Sequence, residues 1–156
     1  MIRSNVYKKA YSKSILFNLM LTVAALIYVF IMFHLLLYRD RFHGAGYSYN
    51  IVPLHTIKNY IYYRNHMNWN IWFTNIFGNI VLFIPIGIFA PLLRVKYRNP
   101  IRLAAFTIGW IAIIELIQML THVGSFDVDD IILNTVGALL GLIFTHIMLF
   151  VYGKGK

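Results

Sequence analysis

The apolar and polar positions of this 156-residue chain fall into long blocks rather than short alternations. Residues 14–38 hold no Asp, Glu, Lys or Arg. Neither do residues 65–93, whose firmly apolar part begins near Trp72, nor residues 131–153. A fourth block, 103–120, is interrupted only by Glu115. A helix needs roughly 20 apolar residues to cross a hydrocarbon core about 30 Å thick, and in lipid it satisfies its backbone polar groups within its own segment. The blocks therefore predict an all-α membrane protein with four transmembrane helices, at about 15–38, 72–93, 103–120 and 131–152. The first block is longer than the roughly 7–15-residue apolar region of a signal peptide. It also ends in Leu-Leu-Leu-Tyr-Arg rather than small residues, so it is expected to remain as a helix.

The connection from Arg39 to about Asn70, taken with Tyr38 just before it, has a different texture. It carries Tyr38, Tyr47, Tyr49, Tyr60, Tyr62 and Tyr63 together with Trp69, residues that favour the headgroup layer because one end is apolar and the other wet. From Thr56 to Tyr63, Lys58 and Asn59 are set among Ile57, Tyr60, Ile61 and Tyr63 at helical spacing, which predicts a short interfacial helix between the first two spans. No internal repeat, low-complexity tract or second domain interrupts the pattern, so residues 1–156 read as one polytopic domain.

Composition sharpens the picture. Hydrophobic residues make up 60% of the chain and charged ones 12%, against roughly 45–50% and about 25% in soluble domains. An aromatic content of 17% excludes a disordered chain. The absence of cysteine removes disulfides, thiolate metal sites and thiol nucleophiles together. The net charge of +9 would suggest nucleic acid in a soluble protein. In a membrane protein it reports topology and contact with anionic lipid, and no nucleic-acid partner is expected. Arg3, Lys8, Lys9, Lys13, Arg94, Lys96, Arg98, Arg102, Lys154 and Lys156 fall on one side, whereas Arg39, Arg41, Lys58 and Arg64 fall on the other with Asp40, Asp127, Asp129 and Asp130. The positive-inside rule then puts both termini in the cytoplasm.

Polar residues inside the spans are the candidates for chemistry. Asn75 and Asn79 share one face of the second span, and Pro85 is expected to kink it beside Gly87. Asparagine pairs of this kind act as interhelical glue or as ligand contacts, and spacing does not separate the two. Glu115, Gln118 and His122 form one stripe on the third span. An ionisable group at membrane depth is costly, so Glu115 faces a wet cavity, pairs with a cation or stays protonated. Asp127, Asp130, Asn134, Gly137 and Gly141 share a face of the fourth span, with the two glycines forming a seam for close helix approach. One acid suffices to cap that helix. The three carboxylates Asp127, Asp129 and Asp130 could instead hold a divalent cation such as Mg²⁺ or Ca²⁺. His34 and His146 are single residues within spans, and His55 and His122 face outward. There is no His-x-x-x-His spacing, nucleophile elbow or P-loop.

Three ordered segments resemble the VanZ-like family. Asn75-Ile-Phe-Gly-Asn-Ile-Val-Leu-Phe-Ile-Pro-Ile-Gly matches its N-x-x-G-N-x-x-x-F-x-P-x-G pattern, Ile114-Glu115-Leu-Ile-Gln118 its I-E-x-x-Q, and Asp127-Val-Asp-Asp-Ile-Ile-Leu-Asn134-Thr-Val-Gly137 its D-x-D-D-x-x-x-N-x-x-G. Asn50-Ile-Val-Pro53-Leu-His-Thr-Ile is similar to a further stretch, with Leu54 in place of the usual Phe. Many members carry an Arg where this chain has Val123-Gly124, so a basic partner for the acids has to come from elsewhere. The likeness runs from about Asn50 to Gly141. It implies a multi-pass protein of the bacterial cell membrane, in a family whose founding member is associated with low-level resistance to the lipoglycopeptide teicoplanin but not to vancomycin.

Three functions remain open at this level. In the first, Asn75, Asn79, Glu115, Gln118, Asp127, Asp130 and Asn134 form a polar cleft open to the outer leaflet that binds a lipid-linked cell-wall precursor or the drug, with Pro85, Gly137 and Gly141 as structural elements. In the second, the Asp cluster holds a divalent ion and Glu115 is the acid or base of an enzyme acting on a lipid-linked substrate. In the third, the polar groups are packing glue in a structural partner of wall-synthesis machinery. No other cofactor is expected.

Overall fold

The computed structural model describes residues 15–37, 47–66 and 68–154. Arg3, Lys8, Lys9, Lys13, Arg39, Asp40, Arg41 and Lys156 of the charge argument, and Tyr38 of the aromatic connection, lie outside them.

Among the described residues are four long apolar helices: α1 (Ile15–Leu37), α3 (Trp69–Leu93), α4 (Pro100–Leu120) and α5 (Val128–Lys154). Each is long and apolar enough to cross a membrane. The short helix α2 (His55–Tyr62) lies between the first two, and a 3₁₀ turn (Val95–Arg98) joins α3 to α4. The last three spans each begin three residues earlier than the apolar blocks do. The reason is capping: the Asn68 side chain accepts from the Asn70 amide at 2.9 Å, the Asn99 side chain from the Arg102 amide at 3.1 Å, and Asp127 from the Asp129 amide at 2.8 Å. A polar first turn is helical because its orphan N–H groups find side-chain acceptors, and a hydropathy count does not see it.

Successive spans run in opposite directions, so the bundle has two chemically distinct ends. One collects the C-termini of α1 and α4, the N-termini of α3 and α5, and α2; it carries Asp127, Asp129 and Asp130 and is called the acidic end here. The other carries Arg94, Lys96, Arg98 and Arg102 around the 3₁₀ turn and is the basic end.

The spine is the α3–α5 seam. A Cβ added at Gly137 would overlap the Ile80 carbonyl oxygen, one at Gly141 the Ile84 carbonyl oxygen, and one at Gly87 that of Ala138. Backbones this close gain dispersion contacts that lipid cannot match. α3 runs unbroken through Pro85 and Pro91. Pro91 supplies no N–H to the Gly87 carbonyl four residues earlier, and the Thr145 hydroxyl donates to that oxygen instead at 3.0 Å. Helix α1 is attached differently. Met32 and Leu36 pack on Phe83, Ile111 and Ile114, the Tyr28 hydroxyl donates to the Leu82 carbonyl, and Gln118 Nε2 donates to the Leu36 carbonyl at 2.6 Å. Toward the basic end, Ile15, Leu16, Leu19 and Met20 of α1 are exposed, as are Ile101, Ile143 and Val151 elsewhere on the perimeter. Surface of this kind is solvated by acyl chains.

Candidate functional site

The acidic end is organised by a two-residue parallel bridge. Tyr49–Asn50 (β1) pairs with Phe126–Asp127 (β2), in the register Tyr49↔Phe126 and Asn50↔Asp127. The bridge sets the Asn50 side chain beside the start of α5. Asn50 Nδ2 donates to Asp127 Oδ1 at 3.0 Å and to the Thr56 hydroxyl at 2.9 Å, while Asn50 Oδ1 accepts from the Val52 amide at 3.1 Å and so closes the turn locally.

Asp127 is the hub. Its Oδ1 caps α5 through the Asp129 amide, its Oδ2 accepts from the Thr56 hydroxyl at 2.7 Å, and its own backbone N–H donates to Glu115 Oε2 at 3.1 Å. Asp129 is fully buried and serves another helix. Its two oxygens accept the Leu54 amide at 2.5 Å and the Ile57 amide at 3.0 Å, which are the N-cap and third-position donors of α2. α2 has no cap from its own Leu54, which sits in the left-handed region at φ 66°. A carboxylate supplied from α5 takes that place, favoured by charge at a helix N-terminus. Asp130 faces the opposite way and accepts from Asn79 Nδ2 at 2.6 Å, tying α5 to α3.

The triplet Asp127, Asp129 and Asp130 therefore diverges onto three different partners. Among the described residues, no three His, Asp or Glu side chains are grouped so as to hold a metal ion.

The other sequence-predicted residues are mostly interior. Glu115, Gln118, Asn79 and Asn134 are each at most 2% exposed. Gln118 links α4 to α1, and its backbone carbonyl ends α4 by accepting the Val123 and Gly124 amides, with His122 left-handed at φ 57°. The Tyr47 ring stacks on the His122 imidazole at 4.7 Å. The Gln118 Oε1 and Asn134 Oδ1 atoms are buried without a hydrogen-bond partner among the described residues. Asn75 is half-buried one turn from Asn79 and takes no part in the Asp127 network. Gly137 and Gly141 form the seam expected of them, with Gly87 as their counterpart.

Above this network lies an open pocket of about 570 Å³. Tyr49, Tyr60 and Tyr63 give it aromatic faces; Asn59, His55 and Ser125 give it hydrogen-bonding groups; Asn50, Thr56 and Asp127 lie at its polar base. Of the seven residues expected to bind a ligand, only Asp127 lines it. Of the others, Asn79, Glu115, Gln118 and Asn134 are buried between helices, while Asn75 and Asp130 are half-buried. Asn50 and Thr56 were not predicted as site residues. The signal for them was the Asn-x-x-Pro-Leu-x-Thr stretch, whose role depends on a partner far away in sequence. Flat aromatic faces beside amides, hydroxyls and one carboxylate suit a molecule with alternating apolar and hydroxylated surface, such as a sugar or a polar headgroup.

The chain matches the VanZ/LLP1 family over residues 15–149. It is 36% identical over 72 residues to Protein VanZ of Enterococcus faecium, a stretch covering 45% of this chain and 43% of that protein. The likeness thus spans less than half of that relative's length. No solved structure matches the chain.

Proposed function

The chain belongs to the VanZ/LLP1 family, and from that premise we propose that its acidic-end pocket faces the outside of the bacterial membrane and holds the polar head of a lipid-bearing envelope molecule. The observation that carries the reading is the pocket itself, about 570 Å³ in volume, with three tyrosines at its walls and the Asp127 carboxylate at its base. Its position at the end of four membrane-spanning helices suits a ligand that is half in lipid and half in water. Both a lipid-linked cell-wall precursor and the acylated glycopeptide teicoplanin have that form. By holding one of them, the protein lowers the frequency with which drug and membrane-anchored target meet, which reduces susceptibility to teicoplanin. The surplus of Lys and Arg at the opposite end supports this orientation, with both termini in the cytoplasm.

The test uses a Gram-positive host that makes equal membrane levels of the wild type or of Asn59→Ala/Tyr63→Ala. Both positions line the pocket, and both side chains lie outside the Asp127 and Asp129 network. The wild type is expected to raise the inhibitory concentration of teicoplanin and not that of vancomycin, and the double variant to lose this effect. Protection retained by the double variant would remove the pocket from the mechanism. No protection by the wild type would remove teicoplanin from the reading.

A further inference from the structure

At the other end of the bundle, we propose a separate site for an anionic phospholipid: one acyl chain lies in the groove between α1, α3 and α4, and the phosphodiester headgroup sits at Arg94. The groove has a volume of about 290 Å³ and is walled by apolar side chains, among them Ala25, Met32, Phe83, Phe89 and Trp110. Leu36, Met32 and Tyr28 fasten α1 near the acidic end and at mid-length, and the groove opens beside them toward the basic end. The Tyr28 hydroxyl on its wall is committed to the Leu82 carbonyl, which leaves the middle of the groove without an open polar group. Apolar cavities of about 150 Å³ stay dry and take up benzene. On that scale the groove accepts a stretch of acyl chain of roughly a dozen carbons.

The occupant's charge is set by the mouth. Arg94 and Tyr97 line it, Lys96 Nζ lies 4.8 Å above the Tyr97 ring, and Arg98 Nε donates to the Pro91 carbonyl at 3.3 Å. Arg102 follows in the first turn of α4, and residues 41–114 contain no Asp or Glu. Basic clusters at the ends of apolar interhelical grooves favour anionic lipid heads. A zwitterionic lipid offers the groove the same chain, but its ammonium group meets a field of the same sign.

Trp110 stands in the groove wall, against Phe33 and Phe106, and reports occupancy directly. The full chain carrying Trp69→Phe/Trp72→Phe retains Trp110 as its one tryptophan. In nanodiscs, its quenching is titrated with acyl-brominated phosphatidylglycerol or acyl-brominated phosphatidylcholine. Phosphatidylglycerol is expected to quench at a lower mole fraction, and Arg94→Gln to shift its midpoint about fivefold toward that of phosphatidylcholine. Ala90→Phe, which fills the groove, is expected to weaken quenching by both lipids. Equal midpoints for the two lipids, or an Arg94→Gln variant unchanged from its parent, would overturn the proposal. Should the tryptophan replacements fail to fold, native mass spectrometry of the wild-type chain from mixed nanodiscs decides the same point: selective retention of phosphatidylglycerol supports the site and non-selective retention refutes it.

Discussion

The two ends of this bundle use their polar side chains in opposite ways. At the acidic end, carboxylates and amides bond to backbone as well as to one another: Asp127 caps its own helix, Asp129 caps α2, Gln118 holds the last turn of α1, and Asn79 donates to Asp130. At the basic end, Arg94 stands at the mouth of a cavity whose walls are apolar, with Lys96, Arg98 and Arg102 close by in sequence. The first arrangement fixes geometry, because each charged acceptor has designated N–H or hydroxyl donors and one register. The second fixes none, since a guanidinium at a cavity mouth tolerates many positions of a phosphate. A polar pocket needs the former kind of construction and a lipid chain is content with the latter.

The strongest way to break this contrast is to remove what the two ends share. Gly137→Leu forces a side chain into the Ile80 carbonyl across the α3–α5 seam. It is expected to abolish the folded bundle altogether, read as loss of detergent-stable protein on size-exclusion chromatography. The cost exceeds the usual ~1–3 kcal/mol of overpacking because backbone, not a flexible side-chain tip, is in the way.

Asp129→Asn should separate the ends. The variant keeps the shape but loses the charge that receives two amides of α2, for about 1.5–3 kcal/mol. Amide exchange is expected to rise over 54–62 with α3 and α5 unchanged. Exchange rising throughout the bundle would show that the acidic end is not a local construction. Thr56→Val is milder: it removes the donor to Asp127 Oδ2 while Asn50 still holds Oδ1. We expect about 1 kcal/mol, seen as a small fall in the midpoint of thermal unfolding. An effect of the same order belongs to Thr145→Val on the seam, which leaves the Gly87 carbonyl without its side-chain donor. A loss of roughly 0.5–1.5 kcal/mol follows, and exchange at α2 is expected to stay as in the wild type.

What the sequence made legible depended on the range of the information. The four spans, the surface helix and the glycine seam are each encoded within a few turns of chain, and the structure contains all of them. The helix starts at 69, 100 and 128 were missed because polar caps sit outside apolar blocks. The roles of the acids were missed for a different reason. Asp129 and Ile57 are 72 positions apart, and nothing local in Asp127-Val-Asp-Asp130 announces that alternate carboxylates serve different helices. The left-handed Leu54, where a glycine would be ordinary, has no local signature either. It makes sense only once its N–H is seen directed at Asp129. Of the residues expected to form a cleft, Asn79, Glu115, Gln118 and Asn134 are buried between helices, a packing that depends on contacts distant in sequence.

The borrowed cap on α2 also has a consequence in time. Eight residues are fewer than the roughly 12–15 that an isolated helix needs to be marginally stable in water, and this helix depends on an acceptor made 72 residues later. At about 5–20 residues per second, the segment waits roughly 4–14 s of synthesis before Asp129 exists. The walls of the pocket thus come together only after the last span has begun to emerge. A nascent or truncated chain that ends before β2 and α5 lacks Asp127 and Asp129 and with them the carboxylate at the base of the pocket, so the acidic-end site is offered only once α5 has been made.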